Sequence, residues 1–218
     1  MKYIWINPVT DGMYDADELN EFLRKYGYKR FETTGDWLGI VKEKYKMAVE
    51  QANHTVMDVR CPKAKELLEE LGIISSVTVP KINPILIHCG QEGSEREDLA
   101  DGEKIITTPC QALADMGNEL GMKDTLFISW NKFVEAVGDE PKRKTVKESP
   151  IPPGFFDELE LKTASLTGEE EIRDYFKDYV SGEVQLVEML FCKDGCHNGD
   201  GVRMCENEEY RDEKEKSS

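Results

Sequence analysis

The segment from Cys192 to Gly201 constrains the fold more than any other part of the chain. It follows the apolar run Val184 to Phe191 and places two thiols, Cys192 and Cys196, among residues that let a backbone bend tightly. The glycines of this segment are Gly195, Gly199 and Gly201. Two thiols at this spacing indicate a metal ion or an iron–sulfur cluster. Further ligands must then come from the remaining cysteines, which are Cys61, Cys89, Cys110 and Cys205.

The composition is that of a globular chain with a strong excess of acidic residues over basic ones. Its 218 residues contain 44 Asp and Glu against 28 Lys and Arg, for a net charge of −16. This balance argues against nucleic acid as a partner, because phosphate neutralisation needs clustered basic residues. The acidity is explained either by solubility or by docking of a basic redox partner protein.

The chain has no apolar stretch long enough to span a bilayer and no pattern of a signal peptide near Met1. We therefore expect a cytoplasmic protein with no membrane partner. In that reducing compartment cysteines are thiols or metal ligands rather than disulfides.

Strand-like and helix-like segments alternate, which predicts an α/β fold with a parallel or mixed sheet flanked by helices. The predicted strands are Lys2–Ile6, Tyr28–Thr33, His54–Val59, Pro84–Cys89, Lys104–Thr108 and Val184–Phe191. The predicted helices are Ala16–Tyr26, Asp36–Ala52, Lys63–Leu71, Gln111–Leu120 and Glu171–Tyr179.

The chain divides into four parts by composition. Residues 1–141 form an α/β region that carries Cys61, Cys89 and Cys110. Residues 142–156 are a proline-rich extended connector, 157–205 hold the C-x-x-x-C loop, and 206–218 are an acidic tail predicted to be disordered.

Cys61, Cys89 and Cys110 each lie at or just after the end of a predicted strand. In open α/β sheets, ligands bind beyond the carboxyl ends of the strands. The fold is therefore expected to gather these cysteines with the Cys192 loop.

The order of these segments resembles the cluster-binding domain of the iron-only ([FeFe]) hydrogenases and their hydrogenase-like relatives. That family has three signature loops: Cys-Cys-Pro, Pro-Cys-Thr-Ala-Lys-Lys, and Cys-Pro-Gly-Gly-Cys followed by glycines. The third loop matches best, at Cys192, Gly195, Cys196, Asn198, Gly199 and Gly201. The first is matched by Cys61-Pro62, and the second by Cys89 alone.

The resemblance implies a hydrogenase-like fold that holds one [4Fe-4S] cluster through Cys61, Cys89, Cys192 and Cys196, used for electron transfer or redox sensing. The loop glycines would bring backbone amides to the sulfurs of the cluster. Two departures argue against hydrogen chemistry. Arg60 stands where the family has its proton-relay cysteine, and Gly90 to Gly93 lacks the lysine that follows the second-loop cysteine.

Several alternatives stay open. Cys110, at a predicted helix N-terminus, is an alternate ligand, a reactive thiol or a core residue, and Cys205 is a second alternate. His88 and His197 adjoin cysteines, so a zinc-stabilised interaction module competes with the cluster. If the protein is an enzyme, the class expected is an iron–sulfur oxidoreductase with an open iron or an additional metal.

Overall fold

The computed structural model describes residues 1–180 and 182–203. Cys205 and the acidic tail 206–218, which was predicted to be disordered, lie outside the described residues. The strands are β1 (Lys2–Trp5), β2 (Tyr28–Arg30), β3 (Val56–Met57), β4 (Glu103–Thr108), β5 (Thr125–Ser129), β6 (Thr163–Thr167) and β7 (Leu186–Leu190). The α-helices are α1 (Pro8–Gly12), α2 (Ala16–Lys25), α3 (Trp37–Gln51), α4 (Pro62–Glu70), α5 (Ile85–Glu95), α6 (Gln111–Glu119), α7 (Trp130–Val137) and α8 (Glu169–Lys177).

The strands form two parallel sheets, which confirms the α/β class. One sheet has the order β2-β1-β4-β5 and the other β3-β7-β6. The second sheet takes β3 from before the connector and β6 and β7 from after it. Since parallel strands need crossover connections, helices cover the sheets.

Successive side chains of β1 point to opposite faces of the sheet and pack into two different parts of the core. Tyr3 and Trp5 pack with Ile87 of α5 and Phe127 of β5, whereas Ile4 belongs to the cluster that contains α2 and α7 residues. This is the period of two expected of a strand buried on both faces. The second sheet is likewise covered on both sides, by α4 and α8 on one and by α3 and the end of the connector on the other.

The segment Pro84–Cys89 was predicted to be a strand, and this prediction is wrong. Pro84 precedes helix α5, which continues through Cys89 to Glu95. A short apolar run does not distinguish a buried strand from a buried helix by periodicity alone. The helix packs closely on the first sheet, because a Cβ added at Gly90 would lie 2.2 Å from Cζ of Phe127.

Other differences concern boundaries and elements that the pattern missed. The predicted break at Asn7-Pro8 is instead the start of α1, where Oδ1 of Asn7 accepts a hydrogen bond from the Thr10 N–H (3.0 Å) and proline occupies the first turn. The strands β5 and β6 and the helix α7 were also missed. The predicted helices in α2, α3, α4, α6 and α8 are confirmed to within a few residues.

Residues 142–156 contain no helix or strand. Among the described residues, no helix has the length and apolar character that a membrane crossing requires.

Candidate metal centre

Four of the cysteines come together: Cys61, Cys110, Cys192 and Cys196, which we call the thiol site. Each is partly buried, and all five cysteines in the described part of the chain are free. Burial raises the pKa of the Cys196 thiol well above its ordinary value, and the charges of the other three cysteines raise it further. Four thiols from three separate loops therefore lie within electrostatic reach of one another.

The pKa values of Cys110 and Cys192 are raised by the same two causes. Burial raises the pKa of Cys110 to about 12, and the charges of Cys61 and Cys192 contribute to the rise. Burial likewise raises the pKa of Cys192 to about 11, again with a contribution from Cys61. Without a metal Cys110 and Cys192 are neutral thiols near pH 7, because burial disfavours their ionised forms.

Two of the thiols begin helices. Cys61 is the N-cap of α4 and Cys110 is the N-cap of α6, each at the turn that follows a strand. The backbone N–H groups of Phe191, Ala64 and Lys63 act to lower the pKa of Cys61, although burial outweighs them. The free N–H groups and the dipole of a helix N-terminus both stabilise a negative charge on sulfur.

The Cys192 loop is folded by its own backbone. The N–H of Gly195 donates to the carbonyl of Cys192 (3.2 Å), and the N–H of Gly199 donates to the carbonyl of Cys196 (3.0 Å). Gly195 has a φ of 117°, a conformation that other residues rarely adopt. These turns hold Cys192 and Cys196 on one side of a compact loop.

The glycines also fasten this loop to the segment that carries Cys110. The N–H of Gly201 donates to the carbonyl of Pro109 (3.1 Å). A Cβ at Gly199 would lie 2.3 Å from that same carbonyl oxygen, and one at Gly201 would lie 2.9 Å from the backbone nitrogen of Cys110. The structure thus gives these glycines a packing role, whereas the sequence suggested amides directed at sulfur.

Cationic side chains surround the thiol site although the chain as a whole is acidic. The charges of Lys63 and Arg203 act to lower the pKa of Cys192, and that of Arg60 acts to lower the pKa of Cys196, although burial outweighs them. Lys63 also forms an ion pair with Asp200 (2.6 Å), whose second oxygen accepts from the N–H of Gln111 (3.0 Å). Asp58 and Asp200 act in the opposite sense on Cys61, Cys110 and Cys192, so charges of both signs lie around the thiol site.

Cys89, which the sequence predicted as a ligand together with Cys61, Cys192 and Cys196, lies apart from these three residues. It lies within α5, 3% exposed, in the core cluster that contains Phe31 and Phe127. Burial raises its pKa to about 12, and its polar neighbours are Thr33, Glu92 and Glu32 rather than other cysteines. Because Pro84–Cys89 is helical, Cys89 is not at the carboxyl end of a strand.

Sequence reasoning ranked Cys110 only as an alternate, although a signal for it was present. Pro109-Cys110-Gln111-Ala112 follows the buried strand β4 and agrees with Pro-Cys-Thr-Ala in its proline, cysteine and alanine. The segment around Cys89 agrees with that motif in the cysteine alone.

The three histidines lie in different parts of the molecule. His88 stacks on Trp37 (ring centroids 5.0 Å apart) beside a surface cleft of about 450 Å³. His197 lies in the Cys192 loop, and its Nδ1 is buried with no hydrogen-bond partner among the described residues. His54 is exposed. Of the three, His197 is the one adjacent in sequence to a thiol-site residue.

Within residues 1–180 and 182–203, no three His, Cys, Asp or Glu side chains form a group able to hold a single metal ion. A tetrahedral zinc site needs each sulfur about 2.3 Å from one ion. The thiol site would have to contract to bind zinc in that way.

No protein-family model matches this chain, and no curated protein matches it.

Proposed function

We propose that this protein binds one [4Fe-4S] cluster through Cys61, Cys110, Cys192 and Cys196 and uses it for electron transfer or redox sensing. The observation that carries the proposal is the convergence of four free thiols from three loops, in which the charges of Cys61, Cys110 and Cys192 all act on Cys196. A group of neutral thiols has no structural need for this arrangement, whereas soft thiolates are the ligands of iron–sulfur clusters.

The chain's own residues fit such an occupant. Cys61 and Cys110 each stand at a helix N-terminus, where the free N–H groups of the first turn favour a negative charge on sulfur. Hydrogen bonds to sulfur and limited solvent access are the features by which proteins adjust a cluster. When bound, the cluster would supply one-electron transfer at a potential that these features set.

The resemblance to the iron-only hydrogenase domain supports the same proposal, with Cys110 replacing Cys89 as the second-loop cysteine. In this alignment Leu113 and Ala114 stand where the family has two lysines, and Arg60 remains in place of the proton-relay cysteine. We therefore propose a hydrogenase-like cluster domain without hydrogen-evolving activity.

Anaerobic reconstitution with iron and sulfide tests the proposal. We expect a brown protein that bleaches on reduction and contains about four irons and four sulfides per chain. Cys61→Ser, Cys192→Ser and Cys196→Ser should each lose this absorption, since serine keeps the side-chain size but not the soft donor.

Two results would reject the proposal. One is a colourless protein that holds stoichiometric zinc under the same conditions. The other is full cluster content in any of these three serine variants. A cyclic voltammogram without a reversible one-electron wave in the loaded protein would reject the redox role and leave a structural cluster.

A further inference from the structure

Next to the thiol site lies a buried group of three charged residues, Asp58, Arg60 and Glu188, which we call the charged trio. The side chains of Asp58, Arg60 and Glu188 are 0%, 9% and 1% exposed. Nη2 of Arg60 lies 2.7 Å from Asp58 and 3.0 Å from Glu188. Buried ion pairs seldom stabilise a fold more than apolar residues of the same size would. Their presence therefore calls for a functional reason.

Hydrogen bonds and aromatic contacts hold the side chain of Arg60 in place. Its Nε and Nη2 donate to Asp58, Nη2 also donates to Glu188, and the guanidinium carbon lies 3.7 Å from the ring centroid of Phe155. The ring of Phe156 lies 4.8 Å from the same carbon. Such a side chain is a fixed charge, because it has no room to reorient when the charge of its surroundings changes.

The carboxylate of Glu188 is anchored independently. It accepts from the N–H of Gly154 (2.6 Å), the N–H of Phe155 (3.1 Å) and the hydroxyl of Ser165 (2.8 Å). With Arg60 this makes four donors, which satisfy an ionised carboxylate. The trio is therefore held in place by the end of the connector and by β6, as well as by its own ion pairs.

Arg60 and Lys193 are both adjacent in sequence to a thiol-site cysteine, and of the two Arg60 is the buried one. It directly precedes Cys61, and its partners Asp58 and Glu188 stand on paired segments that lead into Cys61 and Cys192, since the N–H of Asp58 donates to the carbonyl of Val187 (2.8 Å). Its third guanidinium nitrogen, Nη1, has no hydrogen-bond acceptor in the part of the chain that the structure describes. Arg60 thus keeps one donor nitrogen unused in the described part of the chain.

We propose that the charged trio sets the reduction potential of the cluster held by the thiol site, with Arg60 as its positive member. This inference rests on the proposed function. Reduction adds one electron, and therefore one negative charge, with no bond made or broken in the chain. A fixed positive charge nearby favours the reduced state, and a fixed negative charge disfavours it, most strongly where the dielectric constant is low.

The test compares single neutralising substitutions in the loaded protein, titrated with dithionite. Arg60→Gln should make the potential more negative, Glu188→Gln should make it less negative, and Arg60→Lys should retain most of the wild-type value. Arg96→Gln is the matched control, since Arg96 pairs with Asp98 and with the carbonyl of Glu32 at the surface, and it should leave the potential unchanged.

Thermal unfolding of the metal-free variants separates this role from a purely structural one. Both Arg60→Gln and Glu188→Gln break the buried trio, so both should lower the melting temperature, whereas their potentials should move in opposite directions. Unchanged potentials, or shifts of the same sign, would overturn the inference. If Arg60→Gln folds without binding a cluster, the reduction potential of loaded Glu188→Gln becomes the test. A wild-type potential in Glu188→Gln would then overturn the inference.

Iron and sulfide content of the wild-type protein keeps the two proposals apart. A wild-type chain that binds no cluster rejects the proposed function, and the inference with it. A loaded wild type whose potential is insensitive to the trio rejects only the inference.

Discussion

Cys89 and Cys110 are a natural pair for comparison, because both have their pKa raised to about 12 by burial. Cys89 lies within a helix among aromatic side chains, whereas Cys110 begins a helix after a strand and lies near Cys61 and Cys192. The raised pKa therefore says nothing about metal binding by itself. What distinguishes the two thiols is the identity of their neighbours.

The largest expected effect comes from exchanging each cysteine for serine. Cys110→Ser should abolish cluster binding, because it removes one of four ligands, while Cys89→Ser should keep full iron content. Iron and sulfide analysis after anaerobic reconstitution measures the difference. Retention of the cluster in Cys110→Ser together with its loss in Cys89→Ser would restore the ligand set predicted from the sequence and refute the one proposed from the structure.

A second comparison uses one glycine from each region. Gly199→Ala would bring a Cβ 2.3 Å from the Pro109 carbonyl, and Gly90→Ala would bring one 2.2 Å from the ring of Phe127. Both should destabilise the protein by about 1–3 kcal/mol in urea unfolding, because overpacking forces neighbours apart. Only Gly199→Ala should also lower iron content per folded chain, since it separates the Cys192 loop from Cys110.

Equal iron content in the two glycine variants would show that the contact between the loop and Pro109 is not needed to assemble the thiol site. The backbone of Gly199 (φ −68°) is one that alanine adopts readily, so the effect of that substitution comes from the added methyl group alone.

The smallest expected effect concerns Glu92, on the same helix as Cys89. Its carboxylate accepts from the N–H of Thr34 (2.6 Å), the N–H of Gly35 (3.1 Å) and the indole of Trp37 (2.6 Å). Burial acts to raise the pKa of Glu92, but these donors lower it to a net value below the ordinary one. Its contribution to stability is therefore present above the ordinary carboxyl pKa and is lost as pH falls through the lowered value.

Glu92→Gln should accordingly reduce the loss of stability on acidification from about pH 6 to about pH 3, measured by urea unfolding. Cluster content at neutral pH should not change, because Glu92 supports the region of Cys89 and not the thiol site. An unaltered pH dependence in this variant would contradict the assignment of the three donors to an ionised carboxylate.

The predicted helices depended on local signals that the structure preserves. The apolar spacing of α2 and the proline after Cys61 act within a few residues. These signals therefore predict a helix independently of tertiary contacts. The run from Ile85 to Cys89 lacked such a signal, since so short a run, apolar apart from His88, suits a buried helix as well as a buried strand. This ambiguity, together with the match of the second signature loop to Cys89, put Cys89 rather than Cys110 in the predicted site.

The sequence by itself determined the α/β class, most helix boundaries, and the folding of Cys192 and Cys196 into one glycine-rich loop. These follow from short-range periodicity and backbone conformation. Only the tertiary structure decided that Cys110 rather than Cys89 lies with them, and that Arg60 is held between Asp58 and Glu188. Both depend on the approach of segments far apart in the chain, which parallel strand pairing and packing between the sheets and helices determine and local patterns do not encode.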